Sequence, residues 1–142
     1  MRRHLTTAMA VTAGEFLFVV VPLVILAVVY STGRETHVPM VMESAEWSFA
    51  AVILGGQAVV KLFVGGATNH SVSTPRIALF AIAVLMFIVL PATIILVQVL
   101  REEETPLPMP THLLRLQFMW FVLAAMAFFV CGTVGELLRA RP

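Results

Sequence analysis

Residues 77–100 read IALFAIAVLMFIVLPATIILVQVL, twenty-four consecutive positions without a charge. At about 1.5 Å per residue a helix of this length reaches roughly 36 Å, enough to cross a hydrocarbon core of about 30 Å. The run stops abruptly at Arg101-Glu102-Glu103-Glu104. Three further runs resemble it: about Ala8 to Tyr30, broken only by Glu15 and Pro22; about Ala45 to Val64, carrying Gln57 and Lys61; and about Leu116 to Val134, ending at Gly135-Glu136. Together they explain a chain of 142 residues that is 60% hydrophobic and 12% charged, with a mean hydropathy of +0.98. Soluble domains carry about 25% charged residues, and disordered chains are poor in large apolar ones, so both classes are excluded. Strands of a membrane barrel would be about ten residues long and alternating, and nothing here alternates. The expectation is an all-α membrane protein of four transmembrane helices, residues 1–142 forming a single four-span domain. Only Leu5 to Thr7 separate Arg2-Arg3 from Ala8-Met9-Ala10. That is too short for the apolar core of a signal peptide, so the N-terminus reads as uncleaved.

Lysine and arginine near the span ends set direction. Arg2, Arg3, Lys61, Arg76, Arg139 and Arg141 fall on one side, and Arg34, Arg101 and Arg115 on the other. Six against three places both termini in the cytoplasm, in what reads as a bacterial cytoplasmic membrane. Glu35, Glu43, Glu46 and Glu102 to Glu104 make the outer side acidic.

Sliding the chain by 69 residues aligns the first two spans with the last two. Over the 50 ungapped pairs from Leu17/Met86 to Gly66/Gly135 there are 13 identities, among them Pro22/Pro91, Glu35-Thr36/Glu104-Thr105, Pro39-Met40/Pro108-Met109 and Gly66/Gly135. The reading is two tandem hairpins, residues 5–66 and 74–135, inserted the same way round as a parallel repeat about an axis along the membrane normal. Pro22 and Pro91 each stand near mid-span and are expected to bend their helices.

Intramembrane polar groups are expensive, so their placement carries information. At 100° per residue Glu43, Glu46, Trp47, Ala50, Leu54, Gln57, Lys61 and Gly65 share about a third of the second helix's circumference. Ser44, Ser48, Ala51, Gly55 and Ala58 form a small-residue row beside them, and Phe49, Val52, Ile53, Val59, Val60 and Phe63 a greasy face. Adding 69 converts the polar stripe to His112, Arg115, Leu116, Met119, Leu123, Met126, Val130 and Val134, so the fourth span has lost its polar groups below the outer end. Three environments suit the charge on the second span. It could line water, with Glu43 and Glu46 at the mouth, Leu54 as an apolar narrowing below Ala50, and Gln57 and Lys61 beyond. Lys61 could instead pair with Glu15 or Glu136, at similar depth, or snorkel to the interface.

Signals for catalysis are missing. His4, His37, His70 and His112 lack ligand spacing, the single Cys131 has no redox or metal motif, and no serine has a nearby base. No metal or cofactor is expected. Ser71, Ser73 and Thr74 before Pro75 read as turn and helix-capping chemistry. On the cytoplasmic side Arg2, Arg3, Arg76, Arg139 and Arg141 suit anionic lipid headgroups or, multiplied in an oligomer, a nucleotide-type ligand.

Four spans of one protomer rarely enclose a pore. The leading expectation is therefore a homo-oligomeric membrane channel or pore-forming effector lined by the second span, with its trigger supplied by a partner or ligand. Effectors of bacterial defence systems offer an analogy for that economy. The alternative is an accessory or assembly subunit whose polar stripe meets a partner's span. Glu15 in the first of four spans is also similar to the arrangement in small multidrug transporters, which would imply proton-coupled export through Glu15. Thr12-Ala13-Gly14-Glu15-Phe16 and the long first connection depart from that family.

Overall fold

The computed structural model describes residues 2–32, 44–68, 73–103 and 109–139, and all of its regular structure is helical. Helix α1 covers Arg2–Thr32 and α2 covers Glu46–Thr68. The third span is composite: α3 at Thr74–Val84, a π-helical turn at Leu85–Val89, and α4 at Leu90–Glu103. Helix α5 covers Thr111–Arg139. Four helices, bounded in their apolar parts by Leu5–Val29, Glu46–Thr68, Pro75–Glu102 and Thr111–Arg139, are long and apolar enough to cross a membrane. The helices outrun the apolar runs because amides are satisfied by continuing the ladder into the interface.

The two prolines behave differently. Helix α1 continues as α-helix through Pro22. Ahead of Pro91 the backbone widens into the π turn, a common response to a missing N–H in the ladder. Ile88 O there accepts a hydrogen bond from the Trp120 indole at 3.2 Å, and Val89 O one from the Thr93 hydroxyl at 2.8 Å. Ser73 takes the capping position of α3 with extended backbone (φ −66°, ψ 120°) and Pro75 just inside, but its hydroxyl makes no capping bond. The first turn is closed instead by Arg76 N–H on Ser73 O.

The bundle is organised on α2 and α5, which pack most extensively. They run parallel, since the Gln117 amide donates to Ser44 O where both begin and Gly65 meets Gly135 where both finish. Helix α1 leans mainly on α5, and the third span mainly on α2. The core joins Leu23, Ala50, Ala51, Leu54, Ala58, Ala92, Phe121, Ala124 and Phe128. A smaller cluster of Ile95, Val99, Met109 and Leu113 closes the end at which α2 and α5 begin.

Glycine sets the closeness of the α2–α5 approach. A Cβ added to Gly65 would lie 2.6 Å from Gly135 Cα, and one on Gly135 would lie 2.5 Å from Lys61 O. No side chain fits there, so the two backbones touch directly. The small-residue row is buried at Ser48, Ala51, Gly55 and Ala58. Gly55 receives the π turn, where an added Cβ would stand 2.9 Å from Val89 Cγ2. The outer surface is a belt of large apolar side chains, Phe18, Phe80, Phe87 and Val130 among the most exposed. In water such a belt would aggregate, whereas against hydrocarbon it needs no cover.

Candidate functional site

The charged residues of three spans meet at one place. Lys61 Nζ pairs with Glu15 of α1 and lies 3.4 Å from Glu136 Oε1 of α5. It also stands 5.8 Å from the centroid of the buried Phe128 ring, within cation–π range. Lys61 is about two turns from the end of α2 at Thr68. The Lys61 side chain is 14% exposed, that of Glu136 25%, and that of Glu15 43%. The cluster is thus closed on the α5 side and open on the α1 side. Two carboxylates against one ammonium leave a formal charge of −1 when all three are ionised.

Local structure explains the convergence. Lys61 lies one turn before Gly65, at the point of closest approach to α5, and its carbonyl abuts Gly135. Its stem therefore runs along α5 to Glu136. Gly132 makes the remaining space: an added Cβ would sit 2.8 Å from Thr12 Cγ2 and 3.3 Å from Lys61 Cδ. The Thr12 hydroxyl, one turn before Glu15, is fully buried and has no hydrogen-bond partner among the described residues. Phe16 stacks on Phe128 and lies tilted against Phe129 beside it, with centroids 6.4 and 4.9 Å apart.

From the triad a lateral groove of about 620 Å³ opens between α1 and α2, lined by Glu15, Phe18, Ile53, Gly56, Gln57, Val60 and Lys61. Gln57 is exposed in its wall. The Glu15 carboxylate and the Gln57 amide therefore reach the protomer surface, with the largely buried Lys61 behind them, among Phe18 and Val60, two of its most exposed apolar residues. Among the described residues no group of three His, Cys, Asp or Glu gathers to hold a metal ion.

The polar stripe of the second span is divided by the packing. Glu46 is exposed at the start of α2, and Gln57 and Lys61 serve the groove. Ala50 and Leu54 are 4% and 0% exposed, in the core against α5. Any apolar narrowing at Leu54 is thus filled within one protomer. On the greasy face Phe49, Val60 and Phe63 are exposed, while Val59 is buried. The matching face of α5 is turned outward, with Leu116, Met119, Leu123, Met126, Val130 and Val134 all exposed. Arg76 and Arg139 are exposed near the ends of α3 and α5. Glu43 and Arg141 lie outside the described residues, as do the side chains of Arg2 and Arg3.

Three residues that matter here had no signal in spacing or charge alone. Trp120 was one apolar residue among many, yet it ties α5 to the π turn. Gln117 and Thr12 are buried polar side chains in the margins of the fourth and first spans, away from the polar stripe of α2. The chain matches no protein-family model, no curated protein and no solved structure.

Proposed function

We propose that the chain is a small homo-oligomeric membrane channel, a pore-forming effector of the bacterial cytoplasmic membrane with both termini inside. Its polar path runs past Glu15, Gln57 and Lys61, between copies rather than through one. The observation that carries this reading is the lateral groove, which brings Glu15 and Gln57, with Lys61 behind them, to the protomer surface at membrane depth. Against hydrocarbon such groups are unfavourable by about 2.5–3.5 kcal/mol for a central charge. Copies arranged about an axis would turn the grooves toward a shared, water-filled centre. The filled interior at Ala50 and Leu54 excludes a path through the protomer's own core. The acidic balance of the triad suits cations. The trigger comes from a partner or ligand, and an anionic lipid or nucleotide at Arg2, Arg3, Arg76, Arg139 and Arg141 is the arrangement that charge favours.

The same open groove favours one second reading, an accessory subunit in which a partner's span with hydrogen-bond donors covers Glu15. Native mass measurement on protein extracted from its own membrane separates the two. A symmetric homo-oligomer that passes cations across liposomes, with flux lowered at least severalfold by Glu15→Gln, supports the channel. A stoichiometric foreign partner, together with background flux from the purified chain, rejects it.

A further inference from the structure

A second concavity lies at the other end of the bundle, where α2 and α5 begin. It is a groove of about 510 Å³ whose wall is almost wholly apolar, formed by Trp47 of α2 with Phe118, Met119 and Leu123 of α5. Trp47 packs edge-on against Phe118 and Phe121, with centroids 6.1 and 5.1 Å apart, so the wall is built and not a gap between mobile chains. Two polar residues, Arg115 and Gln117, also line it. Arg115 is exposed, and no ion pair holds its guanidinium among the described residues. Gln117 is 1% exposed; its amide N–H donates to Ser44 O, while its Oε1 is buried with no hydrogen-bond partner among the described residues.

The geometry points to a glycerophospholipid site, with the phosphate on Arg115 and one acyl chain in the groove. Arg115 is one turn into α5, at the depth where headgroups lie, and Leu123 is about 12 Å further along the helix, nearly the depth of one leaflet's hydrocarbon. A guanidinium binds phosphate through paired charge-assisted hydrogen bonds. An indole beside it suits the interface. Charge complementarity argues for lipid over protein: one cation above an apolar trough matches one phosphate above one chain. The inference is independent of the channel reading, because the groove is at the opposite end from the Glu15–Lys61–Glu136 cluster.

The full chain, purified in detergent and freed of lipid, is titrated with phosphatidylglycerol and with a diacylglycerol of the same acyl chains, and adducts are counted by native mass spectrometry. Phosphatidylglycerol binds at one molecule per protomer and outcompetes diacylglycerol. Arg115→Ala weakens it roughly tenfold, the loss of one charge-assisted interaction, and Arg115→Lys restores part of the difference. Met119→Trp, which fills the trough, weakens both lipids. Equal retention of the two lipids by the wild type, or unchanged phosphatidylglycerol binding by Arg115→Ala, overturns the site. A photoreactive group at position 119 that captures protein instead of lipid in intact membranes overturns it as well.

Discussion

Lys61 meets two carboxylates and an aromatic ring, and this chemistry explains why it is tolerated. Its ammonium is desolvated by Phe128 on one side and compensated by Glu136 and Glu15 on the others. Removing the cation leaves the half-buried Glu136 carboxylate uncompensated beside the more exposed Glu15. Lys61→Met should therefore lower stability by about 2 kcal/mol, since Glu15 is too exposed for the full penalty of about 3–5 kcal/mol that a buried broken pair carries. Thermal unfolding in detergent checks this. Combining Lys61→Met with Glu15→Gln and Glu136→Gln should recover most of the loss. A triple variant no better than the single one would show that Lys61 acts by packing alone. The glycines allow a sharper contrast. Gly135→Val forces a side chain into the Lys61 carbonyl, and we expect a loss of about 3 kcal/mol, the upper end of overpacking. Gly56→Ala meets nothing within 4 Å and should be neutral or stabilising by up to about 1 kcal/mol. Equal effects from both would mean that α2 and α5 do not cross where Gly65 meets Gly135. Sequence spacing placed Glu15, Lys61 and Glu136 at one depth, but choosing pairing over snorkelling needed the third dimension. The crossing at Gly65 and Gly135 turns the Lys61 stem along α5, and no one-dimensional pattern encodes a crossing point.

Among the described residues, the third span is the one whose helical regularity breaks. Proline alone does not account for it, because α1 carries Pro22 without a π turn. What differs is the surroundings. The widened turn at Leu85–Val89 presses Val89 against Gly55 and offers the Ile88 carbonyl to Trp120, so two neighbouring helices stabilise it. The position equivalent to Trp120 in the first hairpin is Ala51, which has no donor to give. Trp120→Phe keeps the ring and removes the N–H, and should destabilise the protein by about 1 kcal/mol. Pro91→Ala restores the missing donor, so the ladder can close as α-helix. Hydrogen exchange at residues 88–93 should slow in Pro91→Ala and quicken in Trp120→Phe. Unchanged exchange in both would remove the link between the turn and its two partners. Across the 69-residue offset, burial agrees at some paired positions and differs at others. Ser48, Gly55, Val59 and Gly66 are buried, and so are their counterparts Gln117, Ala124, Phe128 and Gly135. Leu54 and Leu123 are not equivalent, the first fully buried and the second 39% exposed. The third span covers more of α2 than the first span covers of α5, which accounts for the asymmetry.

At the scale of the whole molecule, apolar length alone made the four helices of membrane-crossing length legible. The arrangement of those spans was less accessible. A wheel drawn on α2 put Ala50 and Leu54 on the same face as Gln57 and Lys61, yet one half of that face meets α5 and the other meets the groove. Periodicity reports which residues share a direction along a helix. It does not report how many neighbours that direction meets, and a helix at the centre of a bundle is covered on several sides. The direction of insertion rests on charge, and it has a direct test. Ser73 and Arg139 lie at one end of the bundle, Ala45 and Pro110 at the other. With Cys131 replaced by alanine, single cysteines at these four positions can be probed with a membrane-impermeant thiol reagent on intact cells. The six-to-three distribution of Lys and Arg predicts labelling at 45 and 110 from outside, and labelling at 73 and 139 only after the membrane is opened. Labelling of 73 and 139 on intact cells would invert the molecule. The Glu15–Lys61–Glu136 groove would then belong to the outer half of the bilayer, where a cytoplasmic ligand could not reach it, and the trigger would have to arrive from the opposite side.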